Sequence, residues 1–139
     1  MAKSILITGA SGFIGSHLVE EGFKRGYQIF AGVRKTSSRR YLTDSRIRFL
    51  ELDYSTPSRL AEQLSGCKAE GIRFNFILHN AGVTRARNGE EFDLINHRYT
   101  RNLVEALEQT GLIPDKFVYI SSLAAIGPGD PDTMQPITD

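Results

Sequence analysis

The residues with the clearest chemistry are three glycines near the start of the chain, Gly9, Gly12 and Gly15, spaced Gly-x-x-Gly-x-x-Gly. An apolar segment, Ser4–Ile7, precedes them, and a segment with helical periodicity follows. In a strand–turn–helix unit, the first glycine allows a tight turn, the second lets a pyrophosphate approach, and the third lets the helix pack closely on the strand. N–H groups at the start of the helix attract phosphate. The spacing predicts a phosphate-binding turn with contacts from Thr8, Gly9, Ser11, Gly12, Phe13, Ile14 and Gly15.

A second candidate for chemistry follows the second predicted strand, Tyr27–Val33. Proteins that bind NAD usually place Asp or Glu about 20 residues beyond the glycine turn, on the ribose 2′-hydroxyl. This chain has Arg34 there, followed by Lys35. A guanidinium can pair bidentately with a 2′-phosphate, which a carboxylate would repel. The sequence therefore favours NADP(H) over NAD(H); the alternative is a solvated basic loop, since Arg39 and Arg40 lie close by.

Strand and helix patterns alternate along the chain, as in a parallel sheet covered on both faces. We expect an α/β fold with a doubly wound (Rossmann) sheet of about five strands in the order 3-2-1-4-5. In the first helix, Ile14, Leu18, Val19 and Phe23 are expected on one buried side. The other expected elements are strands at Tyr27–Val33, Arg46–Leu52, Phe74–Leu78 and Lys116–Ile120, and helices over 56–66, from a Thr56 cap, and 88–110, from an Asn88 cap to Gly111.

Composition limits the classes of function. The 139 residues carry a net charge of +1, which leaves no electrostatic footprint for nucleic acid or an anionic membrane. No apolar run approaches the roughly 20 residues that span a bilayer. The single cysteine, Cys67, cannot form an internal disulfide and fits a reducing compartment. We expect one domain over 1–139, in the cytoplasm and without a metal site.

The segment ILITGASGFIGSHLVE, Ile5–Glu20, resembles the opening of an extended short-chain dehydrogenase/reductase. That superfamily includes nucleotide-sugar epimerases and dehydratases and dihydroflavonol-reductase-like enzymes. His79-Asn80-Ala81-Gly82 resembles its His-x-Ala-Gly signature. The likeness covers essentially the whole chain but less than half of a typical member, so the chain corresponds to the N-terminal part, before the catalytic helix and the substrate lobe.

The resemblance implies several contacts with the cofactor. Asp53, at the end of the third predicted strand, would meet the adenine amino group, and Tyr54 would contact the ring through its backbone. A turn aspartate that only caps or is solvated is the alternative for Asp53. In the segment that begins at His79, the small residues Ala81 and Gly82 would let the backbone pass beside the adenine ribose. His79 is expected to be structural, because no second metal ligand is suitably spaced.

The resemblance also implies roles near the reacting groups. Ser122 would hydrogen-bond the substrate oxygen, and Ser121 would help position the nicotinamide. Asn96 and Thr100 match the family pattern Asn-x-x-Gly-Thr, while Tyr99 replaces its Gly. In the family this asparagine organises a water chain to the catalytic lysine. An ordinary helix-interior asparagine, bonded to backbone or solvent, is the alternative. Ile126 replaces the tyrosine of the Val-Tyr-Gly typical of sugar-nucleotide epimerases, which favours dihydroflavonol-reductase-like or sterol-dehydrogenase-like relatives.

The family transfers protons with Tyr-x-x-x-Lys, and none of the five tyrosines here has a lysine four residues on. The closing segment 136–139 looks like the loop before the helix that bears this motif. We therefore expect the cofactor-binding part of an oxidoreductase or epimerase/dehydratase acting on an alcohol or ketone of a small molecule, inactive alone. A non-enzymatic nucleotide-binding or redox-sensing module is the alternative. A weaker one, an interaction domain without nucleotide, conflicts with the intact glycine turn.

The resemblance has one consequence for assembly. In the family the long helix packs beside the helix that bears the Tyr and Lys. Without that neighbour, an apolar stripe around Ile95, Tyr99 and Leu103 would be exposed, which favours self-association. We expect a homodimer or a larger species.

Overall fold

A five-stranded parallel sheet organises the chain, in the order β3-β2-β1-β4-β5, as predicted. The computed structural model describes residues 1–122, 125, 127 and 129–135. Among these, no helix combines the length and the apolar character needed to cross a membrane. The strands are β1 (Ser4–Thr8), β2 (Gln28–Val33), β3 (Arg48–Glu51), β4 (Phe76–His79) and β5 (Lys116–Tyr119).

Helix α1 (Phe13–Lys24) packs on β1 and β2 through small residues. Gly22 is buried, and a Cβ there would lie 2.5 Å from the Cδ1 atom of Ile29. The glycine is therefore required by close helix–sheet packing. Val19 is buried as predicted, but Ile14 is 53% exposed. The prediction was wrong for Ile14 because this residue lies in the first turn of α1 and lines a cleft at the carboxyl ends of the strands.

The connection between β2 and β3, residues 34–47, contains no helix and runs through turns. It is anchored by Leu42 and Ile47, which are buried in the core on the α1 face. Arg39 lies over the Phe49 ring, with 4.4 Å between the guanidinium carbon and the ring centroid. This segment therefore presents polar and basic side chains next to the carboxyl end of β2.

Helix α2 (Pro57–Ala69) begins as predicted, because the Thr56 hydroxyl accepts a hydrogen bond from the Arg59 amide. It continues past Gly66, where the sequence predicted its end. Cys67 in the next turn is buried in the core, and the chain leaves the helix before Gly71, which has φ +72°. Burial of one more turn outweighs the helix-breaking tendency of an exposed glycine.

The predicted long helix consists of three consecutive segments. Helix α3 (Gly89–Phe92) is capped by Asn88, whose side chain accepts from the Glu91 amide at 2.9 Å. A π-helical segment (Asp93–Arg98) follows, and then helix α4 (Tyr99–Thr110), which ends at the left-handed Gly111. A continuous α-helix was predicted because apolar spacing does not register one wide turn. π-helical turns occur mostly at functional sites.

Helix α4 packs against α2 over the opposite face of the sheet from α1. Leu103 is fully buried in this core, and Ile95 and Tyr99 are half-buried. The expected exposed stripe around Ile95, Tyr99 and Leu103 is therefore wrong for Leu103, which α2 covers. Self-association stays a prediction.

Candidate functional site

A cleft of about 700 Å³ lies at the carboxyl ends of the strands, above the glycine turn. This is the edge at which doubly wound sheets bind their ligands. The cleft is bounded by the turn after β1, the end of β2, the loop after β4, the π-helical segment and the segment after β5. Its lining includes Gly9, Ser11, Gly12, Phe13, Ile14, Arg34, Ser37, Tyr54, Ala81, Gly82, Val83, Asn96, Tyr119, Ser121 and Ser122.

The three glycines are required for different reasons. Gly9 has φ +62°, and a Cβ there would lie 2.8 Å from the Asn80 carbonyl oxygen. A Cβ on Gly15 would lie 2.1 Å from the Gly9 carbonyl oxygen. At Gly12, by contrast, the nearest atom to a Cβ is 3.5 Å away, which is an ordinary contact. The protein itself has room for a side chain at Gly12, so its absence leaves space for a ligand.

The start of α1 faces this space. Gly12 is the N-cap and has no side chain to bond the first-turn amides, which are left to a ligand or to solvent. Phe13 and Ile14 line the cleft and are 78% and 53% exposed. Such a helix start suits an anion. Thr8 lies beneath the turn, fully buried.

Arg34 lines the cleft at the end of β2. Its amide donates to the Ser37 hydroxyl at 3.1 Å, and the Ser37 amide donates to the Arg34 carbonyl at 2.9 Å, so a turn closes behind it. Ser37 lines the cleft as well. Within the described residues, no carboxylate forms an ion pair with Arg34 or Lys35. The end of β2 therefore presents unpaired positive charge to the cleft.

Asp53 and Tyr54 follow β3 with different surroundings. The Asp53 carboxylate accepts from the Ser55 amide at 3.0 Å and from Arg59 at 2.9 Å, and these bonds, Ser55 first, lower its pKa. They match the turn aspartate left as an alternative; a carboxylate has sites for further donors, so the adenine contact stays a prediction. Tyr54 is buried and lines the cleft. Burial raises the pKa of its phenol.

The signature residues after β4 lie at different depths. His79 is 1% exposed and hydrogen-bonds Thr8 and Thr100, below the cleft. Burial lowers the pKa of its imidazole to about 4. Ala81 and Gly82 line the cleft directly. His79 is thus connected to the cleft through Thr8 and Thr100 and not as a lining residue.

Asn96 lies in the π-helical segment, and both ends of its side-chain amide bond the backbone of Val83. The Oδ1 atom accepts from the Val83 amide at 2.8 Å, and the Nδ2 atom donates to the Val83 carbonyl at 3.0 Å. A Cβ on Gly82 would lie 3.0 Å from this Oδ1 atom, so the glycine lets the amide approach. The side chain pins the loop after β4, as in the alternative of an asparagine bonded to backbone; the water chain stays a prediction.

Ser121 and Ser122 follow β5, are exposed, and line the cleft. The Ser122 carbonyl accepts from the Ala125 amide at 3.0 Å. Because β5 is the edge strand and β2 lies beyond β4 and β1, the two serines line the cleft at the end away from Arg34, and their roles stay predictions. Ile126 and the closing segment 136–139, which entered the resemblance, lie outside the described residues.

The lining residues that the sequence analysis missed include Ser37, Val83 and Tyr119. Ser37 stood in a polar stretch whose turn could not be identified. Tyr119 was assigned to a buried strand, although it is 47% exposed. Nothing in the sequence singled out Val83, because its backbone, and not its side chain, bonds Asn96.

Comparison with known proteins agrees with this geometry. Residues 5–139 match the NAD dependent epimerase/dehydratase family. Ceramide reductase of Caulobacter vibrioides is 31% identical over 124 residues, 89% of this chain and 36% of that protein. The decarboxylating sterol-4-alpha-carboxylate 3-dehydrogenase of Saccharomyces cerevisiae is 30% identical over 131 residues, 88% of this chain and 35% of that protein.

Solved structures give the same result. The Bordetella bronchiseptica enzyme WbmH, in complex with NAD⁺, has a TM-score of 0.71 at 25% identity, over 99% of this chain and 43% of that chain. The chain spans about a third of the length of the curated relatives that it matches. The family match extends over almost the whole chain, and the chain belongs to the NAD dependent epimerase/dehydratase family.

Proposed function

We propose that residues 1–139 form one dinucleotide-binding domain that takes NADP(H) in preference to NAD(H). The domain would serve an oxidoreductase or epimerase/dehydratase acting on an alcohol or ketone of a small molecule. One observation carries the proposal: the cleft above Gly12 has Arg34 at the end of β2, and its guanidinium pairs with no carboxylate of the described residues. A bound nicotinamide cofactor would supply or accept hydride.

Each part of the cleft has a role in this proposal. The amides after Gly12 would hold the pyrophosphate, and the Arg34 guanidinium with the Ser37 hydroxyl would hold the 2′-phosphate. Asp53 would take the adenine amino group. Ser121 would position the nicotinamide, and Ser122 would hold the substrate oxygen. The last two lie at the end of the cleft away from Arg34, which is consistent with an extended dinucleotide.

The relatives support an alcohol or ketone as the reacting group, since their names are those of a reductase and a dehydrogenase. Proton transfer in the resembled family needs Tyr-x-x-x-Lys, a motif that the 139 residues lack. We therefore expect the chain alone to bind cofactor without turnover.

The test is a calorimetric titration of the chain with NADPH and with NADH, repeated on Arg34→Ala. Losing a charge-assisted bidentate contact should weaken NADPH binding about tenfold or more and leave NADH binding unchanged. Arg25→Ala is the matched control, because Arg25 is exposed and pairs with Glu21 at 2.8 Å, outside the cleft lining.

Equal affinity of the wild-type chain for both cofactors would refute the NADP(H) preference. Binding of neither would refute the proposed function. An equal loss of affinity in Arg25→Ala and Arg34→Ala would show a general charge effect, and would also contradict a 2′-phosphate site at Arg34.

A further inference from the structure

A line of hydrogen bonds crosses the floor of the cleft, from β1 through β4 to the π-helical segment. The Thr8 Oγ1 atom accepts from the amides of Asn80 at 3.0 Å and Ala81 at 3.1 Å, and lies 2.8 Å from His79 Nδ1. On the other side of the ring, His79 Nε2 lies 2.9 Å from the Thr100 hydroxyl. That hydroxyl donates to the Asn96 carbonyl at 3.0 Å. One imidazole thus connects three elements that surround the cleft.

One arrangement of the protons gives every group on this line a partner. A hydroxyl has one proton and two lone pairs. Both lone pairs of Thr8 Oγ1 face backbone amides, and the Tyr54 phenol lies near the same hydroxyl. In this arrangement the Thr8 proton points to His79 Nδ1, which is bare. The Thr100 proton points to the Asn96 carbonyl, so Thr100 accepts from His79 Nε2–H. The imidazole is therefore neutral, with its proton on Nε2.

The surroundings of the ring agree with this neutral form. His79 is 1% exposed, and the rings within about 6 Å of its own are those of Tyr54, Phe117 and Tyr119. None of these side chains carries a charge at neutral pH. A buried imidazolium here would have no acidic partner among these neighbours.

The two ends of the line reach groups that shape the cleft. Asn80 and Ala81 line it, and their amides are held by the Thr8 hydroxyl. The Asn96 carbonyl receives the Thr100 hydroxyl, while the Asn96 side chain holds Val83. The loop after β4 is thus fixed at its start by Thr8 and further along by Asn96. His79 sits between the two anchors.

We propose that His79 is a positioning residue for the cofactor cleft: locked as the Nε2–H tautomer, it orients the Thr8 hydroxyl and thereby the Asn80 and Ala81 amides in the cleft wall. The inference rests on the proposed function for the identity of the ligand. It assigns His79 no contact with cofactor or substrate. Its action is to keep two backbone amides in one arrangement before binding, which lowers the cost of binding.

The direct test is the ¹⁵N NMR spectrum of the imidazole groups in the free chain at pH 7. The chain has three histidines, and His79→Gln identifies the signals of residue 79 by their loss. We expect a bare Nδ1 and a protonated Nε2. A protonated Nδ1, an imidazolium, or fast exchange between the two tautomers would overturn the proposal. This result does not depend on cofactor binding.

The second test measures NADPH affinity in Thr8→Val and Thr8→Ser. Valine keeps the volume but removes the hydroxyl, so both amides and Nδ1 lose their partner; we expect about tenfold weaker binding. Serine restores the hydroxyl and should bind within about twofold of wild type. Wild-type affinity in Thr8→Val would overturn the positioning role. Absence of NADPH binding by the wild-type chain would instead refute the proposed function, while the NMR spectrum still decides the tautomer.

Discussion

The two ends of the cleft are held in place by different means. The turn end, residues 8–15 with the loop after β4, is fixed by buried groups: Thr8 is fully buried and bonds His79. The loop end, residues 34–47, contains no helix, and its Arg34, Lys35 and Arg39 are exposed. The proposed phosphate site is thus built on the core, whereas the proposed choice between cofactors would depend on side chains of a surface loop.

This difference separates two kinds of sequence constraint. A substitution at a tightly packed position of the turn end, such as Gly15, disturbs the packing of helix on strand, so it is expected to affect folding before it affects binding. A substitution at the loop end removes an exposed side chain and leaves the core intact, so it is expected to affect binding alone.

The largest effect is expected at Gly15. In Gly15→Ala the new Cβ would lie 2.1 Å from the Gly9 carbonyl oxygen and 2.7 Å from the Ala10 Cα atom, and backbone atoms cannot move aside cheaply. We expect the free energy of unfolding to fall by more than about 3 kcal/mol. Urea unfolding followed by circular dichroism measures this.

Gly66→Ala is the control for Gly15→Ala. Gly66 lies in α2 with no atom near its potential Cβ, so alanine should stabilise the chain by about 1 kcal/mol. Wild-type stability of Gly15→Ala would contradict the tight contact between α1 and the turn, and with it the comparison between the two ends.

Gly12→Ala separates binding from folding within the same turn. Its Cβ would have only an ordinary contact at 3.5 Å, so the free energy of unfolding should fall by less than about 1 kcal/mol, the difference between glycine and alanine as N-cap. A methyl group in the space reserved for pyrophosphate should weaken NADPH binding by about 2 kcal/mol, roughly thirtyfold. Titration calorimetry decides it; unchanged affinity would place the phosphates elsewhere.

Features that depend on local sequence signals were predicted correctly, and features that depend on contacts between separate segments were not. The start of α2 was predicted because the Thr56 cap is a local signal. The strand order was predicted because alternating strand and helix patterns indicate a doubly wound sheet, whose crossovers follow a fixed rule. The π-helical turn was missed, and with it the pairing of Asn96 with Val83, because this contact depends on how two distant segments approach. Fully buried Leu103 was expected on an open face, since its burial depends on α2.

The buried His79 should make the stability of the turn end depend on pH. Its ordinary pKa is 6.5, and burial lowers it to about 4 in the folded chain. Below about pH 6.5 the unfolded imidazole binds a proton that the folded one does not, so the folded state loses stability as the pH falls towards 4. Between pH 7 and pH 5 the loss amounts to about 2 kcal/mol.

Urea unfolding at pH 7 and pH 5 tests this, with His79→Gln as the non-titrating comparison. The difference between the two pH values should be larger by about 2 kcal/mol in the wild-type chain than in His79→Gln. His97→Gln is the matched control, because His97 is exposed and pairs with Asp93 at the protein surface. Equal pH dependence of wild type and His79→Gln would show that the imidazole is already protonated or is not buried.

The smallest effect is expected at Arg39, and it sharpens the loop end of the comparison. Its guanidinium is exposed and lies over the Phe49 ring at 4.4 Å, a contact that contributes about 0.5 kcal/mol at an exposed site. Arg39→Ala should lower the free energy of unfolding by that amount and leave NADPH affinity within about twofold of wild type. If the NADPH affinity of Arg39→Ala instead falls as far as that of Arg34→Ala, the positive charge of the whole loop attracts the cofactor. No single residue then binds the 2′-phosphate. If only Arg34→Ala weakens NADPH binding, a single side chain on a loop without regular structure distinguishes the two cofactors, which the buried turn cannot do.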